Sequence, residues 1–331
     1  MSNVQRIFFM VCGILLREYQ RKGIEYRQIM NSEQNKGYLM VLLTGTLWGT
    51  IGLFATILNN LGMEPFTVAF YRLLSASLLL IPVMLWQGKG ISLFRISKKG
   101  LFSCFLVGLV AQAVYNACYM NAIEQGGMAT ASVLLYTAPV FVAITSRILF
   151  KEKLTKNVIL AIFINICGCI FTVTGGDFTG VSLSFFGIIM GVAAGFTYGM
   201  LPVFSRFGAD KEAPYTSAFY GQAFGALFLF FMVRPWTSEV TPFSDHRIML
   251  ALIGFGIVPS ALAYIIYYAG LSKIKETSIV PILASVETVA ASIIGLIAFH
   301  QTLSPGKILG IALVFCSIII MNIKKPQAQA A

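Results

Sequence analysis

The chain has 331 residues, of which 57% are hydrophobic and 11% charged, with mean hydropathy +0.80 and formal net charge +11. Those values exclude a water-soluble globular domain and place the chain in a bilayer. The positive charge does not indicate nucleic acid, because Lys and Arg are dispersed among short loops and never share a face with stacking aromatics.

In chain order, residues 1–36 come before the first long apolar segment. The run "IFFMVCGILL" (7–16) is too short to cross a hydrocarbon core of about 30 Å, and "REYQRKGIEYRQ" after it lacks a small-residue cleavage site. A signal peptide is therefore not expected. The two readings are an interfacial helix or an upstream start codon, with Met30 opening the true product; the second is preferred.

Ten apolar runs follow, each near the roughly 20 residues that a spanning helix needs. They cover 37–58, 66–86, 101–122, 128–149, 157–175, 183–204, 214–233, 248–270, 277–299 and 306–323. The six cysteines lie within or beside apolar stretches without paired spacing, so neither a disulfide framework nor a metal site is indicated, Cys167 and Cys169 included. No cofactor is expected. The expected fold is an all-α integral membrane protein of ten transmembrane helices.

Twenty Lys and Arg residues fall before the first run, after the last, or in every second loop, whereas the opposite side has only Arg234, Arg247 and Lys307. The opposite loops "NNLGME", "EQGG" and "GGDFTG" have none. By the positive-inside rule both termini are cytoplasmic, in a multi-pass protein of the cell membrane, expected to be a bacterial inner membrane.

The chain also repeats itself. "PFTVAFY" (65–71) returns as "PYTSAFY" (214–220), and Trp48-Gly49 is matched by Tyr198-Gly199 at the same distance from Gly37 and Gly187. Trp86 and Trp236 close the second and seventh helices, and "LFKEKLT" (149–155) is echoed by "AFHQTLS" (298–304). Five helices followed by five more implies repeats of inverted topology, at 37–175 and 183–323, because an odd number sends the second copy in from the other face. Residues 1–36 and 324–331 are then a cytoplasmic extension and tail.

Several stretches carry a family resemblance: "LWGT", "AFYRLLSASLLL", "AIEQGGMATASVLLYTAPVFVAI", "KEKLT" and "ASVETVAASIIGLIAF". With these the chain resembles the drug/metabolite transporter superfamily, EamA type, over about residues 37–323, and "AIEQGGMATASVL" resembles its carboxylate, amino acid and amine branch. The resemblance implies a ten-helix transporter and does not select a substrate. Gln301 departs from the family's pattern, which has an acid there.

Small residues let helix backbones approach in lipid. Gly187, Gly191, Gly195 and Gly199 form a ladder on helix six, Gly45 and Gly49 a shorter one on helix one, so these two helices are expected to cross tightly. Pro139 and Pro281, read as repeat partners in helices four and nine, each remove a backbone bond and are expected to kink their helices, either as gating elements lining a cavity or as static packing features.

Arg72 and Glu287 are the deep charges, about 9 Å and about 15 Å from the helix starts at 1.5 Å per residue. Charged groups at such depth are costly and mark functional sites by default. Three roles stay open for Arg72: ion-pair partner of Glu287 or Glu124, fork for a substrate carboxylate, or snorkelling residue. Glu287 is the candidate for proton coupling, with Arg72 as a switchable partner, and the repeat breaks at this site because Gly221 stands where Arg72 does. Trp48, Tyr71, Gln112, Asn116, Tyr198 and Gln222 are polar or aromatic candidates for the path.

The expected function is a secondary transporter moving a small metabolite such as an amino acid, amine or carboxylate by alternating access. A channel or lipid translocator on the same scaffold is the alternative. An intramembrane enzyme is disfavoured: H-E-x-x-H, G-x-S-x-G and Cys/His clusters are absent, His246 and His300 sit at helix ends, and no P-loop supports an ATP-driven pump. The expected partners are a small-molecule substrate and the lipid bilayer, without nucleic acid; homodimerisation stays open.

Overall fold

Proline has no amide proton and a fixed φ, which suits the first position of a helix. Pro65 and Pro214 occupy that position in α3 (Pro65–Trp86) and α9 (Pro214–Val233), so the repeated heptad is a helix start. The computed structural model describes residues 33–86, 90–179, 184–208 and 212–322. The run at 7–16, Met30 and the tail from 324 lie outside the described residues.

The remaining helices are α1 (Glu33–Trp48), α2 (Ile51–Asn60), α4 (Lys98–Leu106), α5 (Tyr115–Leu135), α6 (Ala138–Leu149), α7 (Lys156–Thr174), α8 (Phe185–Gly208), α10 (His246–Phe255), α11 (Ala263–Leu271), α12 (Val280–Ala284), α13 (Val286–Phe299) and α14 (Pro305–Asn322). Two π-helical stretches, Val107–Val114 and Gly256–Leu262, join α4 to α5 and α10 to α11. Among the described residues, eight helical stretches are long and apolar enough to cross a membrane, and α6 and α14 are shorter apolar helices. The expected ten runs differ from this at the fourth and the tenth: Lys98–Leu135 is continuous by length and takes in the start of the fourth run, although Gly127 breaks its helical geometry with φ 80° and ψ 161°, and the tenth run is the shorter helix α14. The chain is helical from the first described residue, Glu33, four residues ahead of the run expected from 37.

Helix ends follow local chemistry. Ser97 and Thr155 cap α4 and α7 by accepting from Gly100 and Val158 amides, and Gly175 ends α7 in the left-handed region that glycine tolerates. Trp86 is 92% exposed and Trp236 60%, as expected of rings that stand at a membrane surface rather than in the bundle.

The glycine ladder does not meet helix one. A Cβ at Gly187 would lie 3.2 Å from the backbone of Gly126, one at Gly195 2.8 Å from the Leu134 carbonyl, and one at Gly199 3.1 Å from the Ala138 carbonyl. The four glycines therefore seat α8 against α5 and α6. Gly45 and Gly49 of the first helix lie in the same way against Ala284 O and Glu287 O, around the junction of α12 and α13. Each set of glycines thus packs on the opposite half of the chain, which corrects the expected crossing of helices one and six. The reason is that these glycines cover broken helices, where freed carbonyls demand a close neighbour in place of lipid.

The breaks also correct the reading of the prolines. Helix four is interrupted at Tyr136 and Thr137, with Pro139 in the first turn of α6, and helix nine at Ser285, four residues after Pro281. Each proline begins a new helical piece instead of kinking a continuous one. Nor are the two equivalent: the shared tails place the repeats 149 residues apart, which pairs Pro139 with Thr288 and Pro281 with Ser132.

Candidate functional site

The two breaks meet at the centre of the bundle. Two small cavities adjoin there, sharing Ala138, Tyr198, Pro281 and Ala284 as walls, and each is roomy enough for about two water molecules. Trp48 and Tyr267 are among the residues completing the first; Tyr136, Asn165 and Glu287 are among those completing the second. Such a space is far below the several hundred Å³ of a metabolite site.

Glu287 lies in the first turn after the break at Ser285 and borders the second cavity. Tyr198, on α8, aims its hydroxyl at the carboxylate, 3.3 Å and 3.4 Å from the two oxygens. The Tyr198 ring packs on Tyr115 at 5.3 Å between centroids, and Tyr115 stacks on Tyr119, whose hydroxyl is 3.1 Å from Ser132 Oγ. Beside the acid, Asn165 of α7 donates to Ser285 Oγ at 2.6 Å and to Ser317 Oγ at 3.0 Å, tying the break to α7 and α14. Bonds of this kind hold helices together in lipid, where burial of apolar surface cannot.

Arg72 is buried on α3 and turns to another group. Its Nη2 donates to Gln112 Oε1 at 3.5 Å and its guanidinium lies over the Phe255 ring at 5.8 Å. Gln112, in the first π-helical stretch, donates in turn to Tyr264 Oη at 2.5 Å. Among the described residues Arg72 forms no ion pair with Glu287 or Glu124. Of the three roles open for Arg72, the ion pair is thus not formed among the described residues. Each charge leads to a tyrosine: Glu287 to Tyr198, which packs on Tyr115, and Arg72 through Gln112 to Tyr264.

The other candidates divide. Trp48 packs on Tyr264 and Tyr267 at 5.5 Å and 5.4 Å, and its buried indole nitrogen has no protein acceptor among the described residues. Asn116 donates to the Gln112 carbonyl one turn back at 2.7 Å, a local bond that leaves it off the cavity. Tyr71 packs edge-on to Phe70 away from the centre. Gln222 is fully buried, and neither its amide nitrogen nor its oxygen has a protein partner among the described residues.

Tyr115, Tyr136, Tyr264, Tyr267, Asn165 and Ser285 belong to this region and were not singled out from the sequence. The 149-residue offset contains the signal for two of them, since it superposes Tyr115 on Tyr264. The same offset, within one residue, superposes two contacts between the halves: Tyr198 of the second half on Tyr115 of the first matches Trp48 of the first on Tyr264 of the second.

Comparison with known proteins agrees with this architecture. The profile of the EamA-like transporter family matches residues 35–174 and again 185–323. An uncharacterized transporter of Archaeoglobus fulgidus is 28% identical over 86% of this chain and 95% of its own length. An uncharacterized inner membrane transporter of Salmonella typhimurium is 24% identical over 89% and 98%. A solved crystal structure superposes with a TM-score of 0.72 at 18% identity, covering 86% of this chain and 97% of that one, a likeness of fold alone.

Proposed function

The chain belongs to the EamA-like transporter family, and on that premise we propose that it is a secondary transporter moving a small metabolite, such as an amino acid, amine or carboxylate, by alternating access. We read Lys98–Leu135 as two spans meeting at Gly127, the second continuing into α6, and α14 as a further span, which gives ten, with the basic loops and both termini cytoplasmic. The observation that carries the reading is the central cavity pair, lined from both repeats at the ends of broken helices and bordered by a deep carboxylate. Irregular backbone at membrane depth is tolerated where it is covered by protein or lines such a cavity, and transporters place their sites there.

In this reading Glu287 binds and releases the coupling proton, and Tyr198 holds its ionised form by hydrogen bonding. Arg72, held by a long bond to Gln112 and by the face of Phe255, serves as the fork for a substrate carboxylate. Moving one charge across the membrane is worth about 2.3 kcal/mol per 100 mV, enough to drive accumulation when a proton accompanies each cycle. Uptake and efflux profiling of a deletion strain against labelled metabolites identifies the substrate. Its flux in proteoliposomes under an imposed pH gradient then tests the coupling, and accumulation that ignores the gradient rules coupling out.

A further inference from the structure

The two helix tails that match in sequence also match in backbone. Lys151 and His300, 149 residues apart, both take the left-handed region, at φ 55° and 52°. In each case the next amide turns back to a carbonyl six residues earlier, Glu152 N to Ser146 O at 3.4 Å and Gln301 N to Gly295 O at 3.1 Å. Non-glycine residues pay for that conformation, so it persists where something downstream is held by it. At the first tail the side chain so aimed is an acid, and at the second it is an amide.

Glu152 crosses to the other half of the chain. Its Oε1 accepts from the Thr277 amide at 2.6 Å and its Oε2 from the Ser278 amide at 3.1 Å, the free donors that open helix nine. Carboxylate bonds to such donors are charge-assisted and complement the positive end of the helix. The piece so held, 277–284, ends at the Ser285 break, and Pro281 and Ala284 on it form walls of both cavities. Further polar contacts join the halves on this same basic face: Glu33 with Lys273, Gln34 with Glu276 at 3.1 Å, and Ser97 with Glu212 at 2.5 Å. Gln301 lies differently, its side chain folded against Gly295 of its own helix.

We propose that Glu152 is the latch of a gate on the basic face, holding the segment 277–284 closed over the central cavity, and that Gln301 leaves the corresponding gate on the opposite face without one. The inference rests on the alternating-access reading and adds the residue that positions the closed state. Glu152 is not among the walls of the two central cavities and acts through helix nine. Release of the two amides frees the segment to swing at Ser285, which opens the cavity toward the basic face.

The test is sided labelling of Ala284→Cys, placed in a background with the native cysteines replaced, by a membrane-impermeant maleimide. It needs no substrate. From the basic face, in inside-out vesicles, the parent labels slowly, and Glu152→Gln labels roughly tenfold faster or more, since hydrogen bonds to a charged group are lost. Gln301→Glu leaves Glu152 intact and supplies the missing acid, so labelling from the opposite face slows several-fold. Equal rates for Glu152→Gln and its parent from the basic face overturn the latch. Should Glu152→Gln fail to reach the membrane, Gln301→Glu decides, and an unchanged rate from the opposite face overturns the proposal. Continuous conduction of small ions by the parent in planar bilayers, as an open pore would give, sinks the alternating-access reading itself.

Discussion

Tyr198 donates to Glu287 at 3.3 Å, while Trp48, its counterpart in the first repeat, borders a cavity with Ala138 where the second repeat has that carboxylate. The scaffold is duplicated and the charge is not. The buried Trp48 indole N–H has no protein acceptor among the described residues, so the two repeats present an acid on one side of the centre and a donor on the other.

Removing the charge of Glu287 separates coupling from movement. Glu287→Gln imitates the protonated acid, so pH-driven accumulation in proteoliposomes is expected to vanish while substrate exchange persists. Tyr198→Phe removes one hydrogen bond of about 0.5–1.5 kcal/mol, which predicts a roughly 2- to 10-fold loss of coupled flux with coupling itself retained. Full pH-driven accumulation by Glu287→Gln rules this residue out as the coupling site.

Arg72 is expected to govern affinity for carboxylates. Arg72→Ala raises KM for a carboxylate substrate much more than for its amide analogue, and Arg72→Lys restores affinity only in part, because an ammonium cannot reproduce a bidentate fork. An equal effect on acid and amide would assign Arg72 to structure, through Gln112 and Phe255.

Glycine at 45 is a requirement of space. A Cβ there would lie 2.5 Å from the Ala284 carbonyl, a backbone atom that cannot rotate away, so Gly45→Ala is expected to cost about 1–3 kcal/mol. A methyl group added at Gly52 would meet no atom within 4 Å, and Gly52→Ala should leave stability unchanged or raise it by up to about 1 kcal/mol. Thermal unfolding in detergent compares the two, and similar melting temperatures for both variants contradict the packing described.

Orientation is open to direct measurement. A reporter active only in the cytoplasm should work when fused after Lys325 and stay silent when inserted in "GGDFTG" (175–180). The reverse pattern inverts the assignment of faces and moves the Glu152 gate to the exterior.

The membrane class, the repeat and the deep charges were legible in the sequence, because composition, a 149-residue periodicity and the cost of a charge in hydrocarbon are local properties. The same locality set the limit. Pro139 and Pro281 marked regions of irregular helix, yet the breaks fall at Tyr136–Thr137 and Ser285, where a packed neighbour covers the freed carbonyls. The glycines announced close contacts without naming the partner, and the partner proved to be the opposite half of the chain. Arg72 and Glu287 have compatible depths in the sequence, but helix rotation and tyrosine packing hold each against a different group, Gln112 and Tyr198. Glu152 looked like part of a family tail; only the approach of helix nine to that tail turned its carboxylate into a contact between repeats.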